Sequence, residues 1–216
     1  MTLLRFVSLL LLLFFPESNC AAQGEDSVPV FPRILMRKLD SLVARPDVRA
    51  FTKARTAWQL FQSSPIGDIQ RLGDEDLMRF VSVFNAALGQ VSPATCAKVW
   101  RTLGQPEFGE AYAGVAAEVD SATADAWTQL IVLLVWAGLR GEPVGRRASP
   151  QEVQSVTQES HTLIPAAELS ALSRIQARNT GNDTDACFLM RSSFRSMLRL
   201  TPPRVAPVFR TMIGSN

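Results

Sequence analysis

The chain is predicted to be an all-α protein, a single-domain array of about 8–10 helices around one buried helix at 121–139. Three observations lead to this prediction. Apolar residues recur at helical spacing in one segment after another, helix-start signals precede several of these segments, and no segment shows the sustained alternation of a strand. The 216 residues, 47% of them apolar and 19% charged, are sufficient to bury a substantial core.

The first 22 residues have the order of features of a secretory signal peptide. Arg5 gives a basic start, an apolar run follows at 7–15, and small residues stand at 18–22. The apolar run is shorter than the roughly 20 residues that a permanent membrane-spanning helix needs. We therefore expect the protein to be exported, to the periplasm or the surrounding medium, and to work in an oxidising compartment.

The cleavage point determines where the mature chain begins. Cleavage after Cys20 or after Ala22 leaves the helical domain, taken as residues 23–216. The alternative is a lipid-anchored Cys20, although Asn19 differs from the small residue that lipoprotein signals place before that cysteine.

Helices in the first half of the mature chain are predicted from their apolar faces and their start signals. Asp47 can cap a helix, Asp74 opens another, and Ser92-Pro93 is an N-cap followed by proline at the first helical position. A further helix begins near Pro106. The residues expected on the buried faces are Leu35, Leu39, Leu42, Val48, Phe51, Trp58, Phe61, Leu77, Phe80, Val81, Phe84, Leu88, Cys96, Val99, Trp100, Leu103, Phe108, Tyr112, Val115 and Val119.

The stretch 121–139 is the most apolar part of the mature chain. Its section 127–136 is apolar on nearly all sides, which is typical of a buried helix or of a membrane span. The uninterrupted apolar part, 130–139, has about half the length of a span. We therefore predict the central helix of the core, and no stable membrane span after the leader is removed.

The second half begins with a surface loop and continues as helices. The loop at 140–148 combines Gly, Pro and charge, and it is the one candidate place for a subdomain break. Ser149 and Glu152 form a capping box, and further helices begin at Pro165 and after a turn at 179–183. The expected apolar faces comprise Val153, Val156, Leu163, Ile164, Leu169, Leu172, Ile175, Cys187, Met190, Phe194, Met197, Leu198, Val205, Val208, Phe209, Met212 and Ile213.

Two cysteines, Cys96 and Cys187, remain in the mature chain. In an oxidising compartment such a pair most often forms a disulfide bond, which here would join two helices. The alternatives are two unpaired buried thiols, or a redox-active pair, which would normally form a Cys-x-x-Cys motif.

The sequence offers little material for catalysis or for metal binding. His161 is the only histidine, and no Gly-x-Ser-x-Gly elbow accompanies it. One histidine and a bonded cysteine pair are too few ligands for a zinc site, and no glycine-rich loop precedes a helix as a phosphate site. The sequence therefore predicts no cofactor and no metal, and it favours a protein that is not an enzyme.

One pair of residues points to an alternative function. Glu159-Ser160 resembles the catalytic Glu and following Ser of exported helical muramidases of the lytic transglycosylase type. His161 to Pro165 stands where that family has a Gly-Leu-Met-Gln-like segment. The resemblance implies a cell-wall hydrolase with Glu159 as its catalytic residue, whereas a solvated helix residue is the other interpretation.

The C-terminal part of the chain is one-sided in charge. No acidic residue follows Asp185, whereas five arginines do: Arg191, Arg195, Arg199, Arg204 and Arg210. The first three are spaced four residues apart, so they form one stripe on a helix, and arginine suits bidentate contacts with carboxylates or phosphates. This stripe either docks an acidic partner or an anionic envelope component, or it pairs with acidic residues of its own chain such as Asp120, Asp125 or Glu118, or it lines a solvated face.

Together these observations favour a protein that acts by binding. We expect an exported, disulfide-stabilised helical protein that binds another macromolecule in the cell envelope, in an inhibitor, immunity-type or assembly role. The expected partner is a protein with an acidic surface. The net charge of +2 gives a weak field over this length, so nucleic acid is not expected as a ligand.

Overall fold

The computed structural model describes residues 30–52, 66–102, 108–178 and 182–213, and the regular secondary structure within these ranges is entirely helical. A short 3-10 helix at Ile66–Arg71 accompanies ten α-helices, so the predicted all-α array is confirmed. The α-helices are α1 (Val30–Ala44), α2 (Pro46–Thr52), α3 (Asp74–Ala87), α4 (Pro93–Thr102), α5 (Phe108–Glu118), α6 (Ser121–Leu139), α7 (Pro150–Thr162), α8 (Ala166–Arg178), α9 (Asp183–Met197) and α10 (Pro202–Ile213).

Several helices begin where the local sequence predicts. Ser149 accepts a hydrogen bond from the backbone N–H of Glu152, whose side chain accepts one from the N–H of Ser149, and this reciprocal pair is the predicted capping box. Ser92 caps α4 with its hydroxyl, which accepts from the N–H of Thr95 at 3.2 Å. Start signals read from a few adjacent residues therefore locate these helix ends well.

The apolar helix α6 lies at the centre of the fold, packed against α1, α3 and the 3-10 helix. Its side chains Trp127, Thr128, Leu130, Ile131, Leu134 and Val135 are buried. Within the described ranges, α6 is also the one helix long and apolar enough to cross a membrane by length and composition. In this structure its buried side forms the middle of the core, as predicted.

Four aromatic rings form the contact between α1, α3, α5 and α6. The ring centroid of Trp127 lies 5.0 Å from Phe31, 5.4 Å from Phe84 and 4.6 Å from Tyr112, with the rings packed edge to face. This is the arrangement that aromatic quadrupoles favour. Burial raises the pKa of the Tyr112 phenol far above its ordinary value, so its hydroxyl remains protonated.

The predicted disulfide joins α4 to α9. Cys96 and Cys187 are bonded with their Cα atoms 5.3 Å apart. Arg101 and Asp183, which lie beyond the two cysteines in opposite chain directions, also pair at 2.7 Å. The two helices therefore run antiparallel, and α9 is held on α4 at two levels.

The predicted surface loop at 140–148 contacts elements on both sides of it. The N–H of Gly145 donates to the carbonyl of Gln70 at 2.8 Å, and the N–H of Ala148 donates to the hydroxyl of Thr211 at 2.9 Å. These hydrogen bonds hold the loop against the 3-10 helix on one side and against α10 on the other. One continuous buried cluster includes residues from before and after it.

The predicted apolar faces are buried in most helices, with one clear difference. Trp100 of α4 is 39% exposed, although its spacing places it with Cys96 and Val99, which are fully buried. Spacing identifies the face of a helix, but it does not determine how much of a large side chain near the helix end is covered. Seven residues of the predicted set lie outside the part of the structure in which side chains are described: Phe51, Trp58, Phe61, Leu103, Phe108, Ile175 and Ile213.

Candidate functional site on the arginine side of α9

The predicted site residues lie on α9 and in the turn that follows it. Arg191 and Arg195 are on the helix, and Arg199 lies two residues beyond its end at Met197. Arg204, in the first turn of α10, continues the set. We refer to the surface formed by Arg191, Arg195, Arg199 and Arg204 as the basic face.

Two arginines of the basic face contact the segment formed by α7 and α8. Arg195 pairs with Glu168 at 3.3 Å, and the same carboxylate oxygen accepts a hydrogen bond of 2.6 Å from the buried hydroxyl of Ser192. Arg199 donates to the carbonyl of Leu163 at 2.6 Å. These contacts hold the end of α9 to its neighbours, yet the side chain of Arg195 remains 44% exposed.

Arg204 and Glu159 pair across α10 and α7. The Nε atom of Arg204 lies 3.3 Å from a carboxylate oxygen of Glu159, and its Nη2 atom donates to the hydroxyl of Ser155 at 2.7 Å. The side chain of Glu159 is 46% exposed, on the outer side of α7. The structure therefore places the residue of the hydrolase alternative in a surface ion pair, beside the basic face.

Arg191 differs from the other arginines of the face. It is half-buried, its Nε atom is buried without a hydrogen-bond acceptor, and it forms neither an ion pair nor a hydrogen bond with the part of the chain that the structure describes. Burial, and then the like charge of Arg195, lower the pKa of the Arg191 guanidinium. A buried donor without an acceptor costs about 1–3 kcal/mol, so a cation in this state is unusual.

The last arginine, Arg210, belongs to the core rather than to the basic face. It is 2% exposed, pairs with Asp74 at 2.7 Å and donates to the carbonyl of Leu72 at 2.7 Å. The guanidinium lies against Gly145, where a side chain would have no room. Sequence reasoning grouped Arg210 with the charged C-terminal surface, because only the tertiary structure reveals its burial.

The carboxylates that pair with these arginines are not the ones predicted from the sequence. Asp125 pairs with Lys38 at 2.9 Å, and Glu118 accepts hydrogen bonds from Ser92 and Thr95. Asp120 caps α6, and the N–H of Thr123 holds the pKa of that carboxyl below its ordinary value. The internal partners are instead Glu168, Glu159 and Asp74, which lie too far away in sequence for any local pattern to reveal them.

The remaining candidate groups are separate from one another. His161 is exposed on α7, and in the described ranges no three His, Cys, Asp or Glu side chains lie together as a metal site would require. An open groove of about 380 Å³ runs between α1 and α6, lined by Lys38, Ser41, Leu42, Arg45, Asp125, Gln129 and Val132. Cys20 and the whole leader lie outside the described residues.

Comparison of the chain with protein-family models, with curated proteins and with solved structures finds no match.

Proposed function

We propose that the protein is exported and works in the cell envelope by binding an acidic protein through the basic face. The role is that of an inhibitor, an immunity-type protein or an assembly factor. The leader supports the export half of this proposal, and the surface charge supports the binding half. Each half has its own test.

The excess of cations on the basic face carries the binding half of the proposal. Among the described residues, the four arginines there have two carboxylates in ion-pair contact with them, those of Glu159 and Glu168. The side chains of Arg195 and Arg204 are 44% and 41% exposed, so both guanidiniums remain accessible while they are paired. A surface with excess positive charge attracts a negatively charged partner and increases its association rate.

The leader carries the export half. Residues 1–22 have the basic start, apolar run and small-residue exit of a signal peptide, and the Cys96–Cys187 disulfide is compatible with an oxidising compartment. Intact-mass measurement of the protein from its native source should show a chain beginning at Ala21 or Gln23. A species that retains the leader, or one with diacylglycerol on Cys20, would contradict a soluble exported protein.

Quantitative affinity capture from native envelope extract tests the binding half. The wild-type protein is compared with the triple variant Arg191→Gln, Arg195→Gln, Arg199→Gln, and with a control triple variant of equal charge change made elsewhere, at Arg37, Arg79 and Arg140. These control arginines are exposed, and one of them, Arg140, is ion-paired with Glu142 at 3.1 Å, as Arg195 is with Glu168.

The proposal predicts one acidic protein retained by the wild-type and control baits and lost from the basic-face variant. Equal retention by all three baits would contradict it. Retention of anionic lipid instead of protein would also contradict it, because an envelope membrane would then be the ligand.

A further inference from the structure

We infer that Arg191 is the residue at which the basic face binds a single carboxylate group of the partner, an Asp or Glu side chain or a chain terminus. The inference rests on the proposed function and makes it specific, since it assigns one anchoring residue and the chemical group that the residue receives. It begins from the contrast between Arg191 and its neighbours.

Three arginines of the face already have partners within the protein. Arg195 contacts Glu168, Arg199 contacts the carbonyl of Leu163, and Arg204 contacts Glu159 and Ser155. Arg191 has no such contact in the described part of the chain. It is therefore the guanidinium of the face whose charge is left for a group from outside.

The side chain of Arg191 packs closely against the protein backbone. Its side chain lies against Gly89, just beyond the end of α3, and a Cβ atom built on Gly89 would come within 2.6 Å of Nη2 and 3.1 Å of Cζ. Glycine at this position therefore lets the guanidinium approach the backbone closely. A cation held in place before binding loses less freedom when a ligand arrives, which favours affinity.

The surroundings favour one monoanionic group. The end of α3 carries the negative pole of a helix dipole, which repels a doubly charged phosphate more strongly than a singly charged carboxylate. Arg195, whose like charge acts on Arg191, is already engaged by Glu168. A carboxylate carries one charge and matches one guanidinium with two parallel hydrogen bonds. The terminal nitrogens can provide this contact, because Nε is the buried atom of the group.

The test observes the side-chain Nε–H resonance of Arg191 in the folded, disulfide-bonded protein, assigned with Arg191→Lys. The probes are a synthetic tetraglutamate peptide, inorganic phosphate and phosphatidylglycerol vesicles, each compared with sodium chloride at equal ionic strength. We expect a saturable shift with the peptide alone. No shift, a shift equal to that in sodium chloride, or a response only to phosphate or vesicles would overturn the inference.

A matched pair of glycine variants separates position from charge. Gly89→Ala retains every arginine but displaces the Arg191 guanidinium, whereas Gly73→Ala has nothing within 4 Å of the new Cβ. Gly89→Ala and Arg191→Gln should each weaken peptide binding by about 10- to 100-fold, the effect expected for a lost charge-assisted contact. Gly73→Ala should bind as the wild type does. Unchanged binding by Gly89→Ala would overturn the inference, and melting temperatures confirm that each variant is folded.

Failure of this inference is distinguishable from failure of the proposed function. If an acidic protein is captured by wild-type bait, and if Arg195→Gln and Arg199→Gln weaken capture while Arg191→Gln does not, the basic face binds but Arg191 is not its anchor. If the wild-type bait captures no protein, the proposed function itself is wrong.

Discussion

Arg210 and Arg191, two arginines from one apparently uniform charged region, have opposite surroundings. Arg210 is buried and bonded to Asp74 and to the carbonyl of Leu72, so its charge is used inside the fold. Arg191 is half-buried without a partner in the described ranges, so its charge is available to a ligand. The sequence pattern does not separate the two, because the partners of Arg210 come from the start of α3 and from the segment before it, far away in sequence.

Replacing Arg210 tests its internal role. Arg210→Met keeps much of the side-chain volume but leaves Asp74 and the Leu72 carbonyl without their donor, and we expect destabilisation by about 1–3 kcal/mol. Arg195→Met is the control, since its exposed pair with Glu168 should contribute about 0–1 kcal/mol. Urea denaturation measures both, and equal stability of the two variants would contradict the structural assignment of Arg210.

Glu152 gives the fold a dependence on acid pH. The N–H of Ser149, then the Arg146 guanidinium and the Ser149 side chain, lower the pKa of Glu152 from 4.5 to about 2. Because the folded pKa lies below the unfolded value, the contribution is fully present above about pH 4.5 and is lost as the pH falls towards 2.

The stability difference between wild type and Glu152→Gln should therefore be largest above pH 4.5 and shrink towards pH 2. Arg146→Gln should reduce this pH dependence without abolishing it, because the Ser149 N–H remains. Denaturant titrations between these two pH values measure the difference. A constant difference across the range would show that the capping box does not hold the ionised carboxylate.

At the scale of the helices, the disulfide that joins α4 to α9 also supports the basic face, because Arg191 and Arg195 lie on α9. Arg191 lies one helical turn beyond Cys187, so the disulfide holds the helix that presents it. The two cysteines are 91 positions apart in the sequence, so the disulfide closes a long loop. Its closure constrains the unfolded chain by roughly 4–5 kcal/mol in the chain-entropy model.

Removing both cysteines should lower the free energy of unfolding without changing the helical fold. For Cys96→Ala, Cys187→Ala we expect a loss of about 2–5 kcal/mol by urea denaturation, with the far-ultraviolet circular dichroism retained. Peptide mapping without reductant should find Cys96 and Cys187 in one linked pair. Two free, alkylatable thiols in the native protein would refute the disulfide.

Features determined by adjacent residues could be predicted from the sequence, whereas those determined by distant ones could not. The capping box at Ser149, the start of α4 and the buried core of α6 follow from local spacing, and the structure has each of them. Asp74 was identified as a helix start, but its pairing with Arg210 joins residues more than a hundred positions apart. For the same reason the stripe of arginines was visible in the sequence, whereas the lack of a partner for Arg191 among the described residues was not.

At the scale of the whole molecule, the C-terminal arginines have two roles in our account: contacts within the fold and binding of a partner. One buried cluster extends from α1 to α10. At its surface, Arg195 and Arg199 hold the end of α9 to α8 and to the end of α7, and Arg204 holds α10 to α7. Among the described residues, the four arginines of the basic face have two ion-paired carboxylates, which leaves a positive excess on that face. In our account that excess serves a partner outside the molecule, and the internal contacts set the geometry in which it is presented.

The most direct test of this account is the salt dependence of the dissociation constant for the captured partner. It is measured for the wild type, the basic-face triple variant and the control triple variant, at low and at high salt. We predict weaker binding by the basic-face variant at low salt and a smaller change with added salt, because exposed charges are screened over about 10 Å at 0.1 M. Its melting temperature should remain close to that of the wild type, since exposed pairs contribute little. Equal dissociation constants for all three proteins, or early melting of the basic-face variant alone, would show that these arginines act only within the fold.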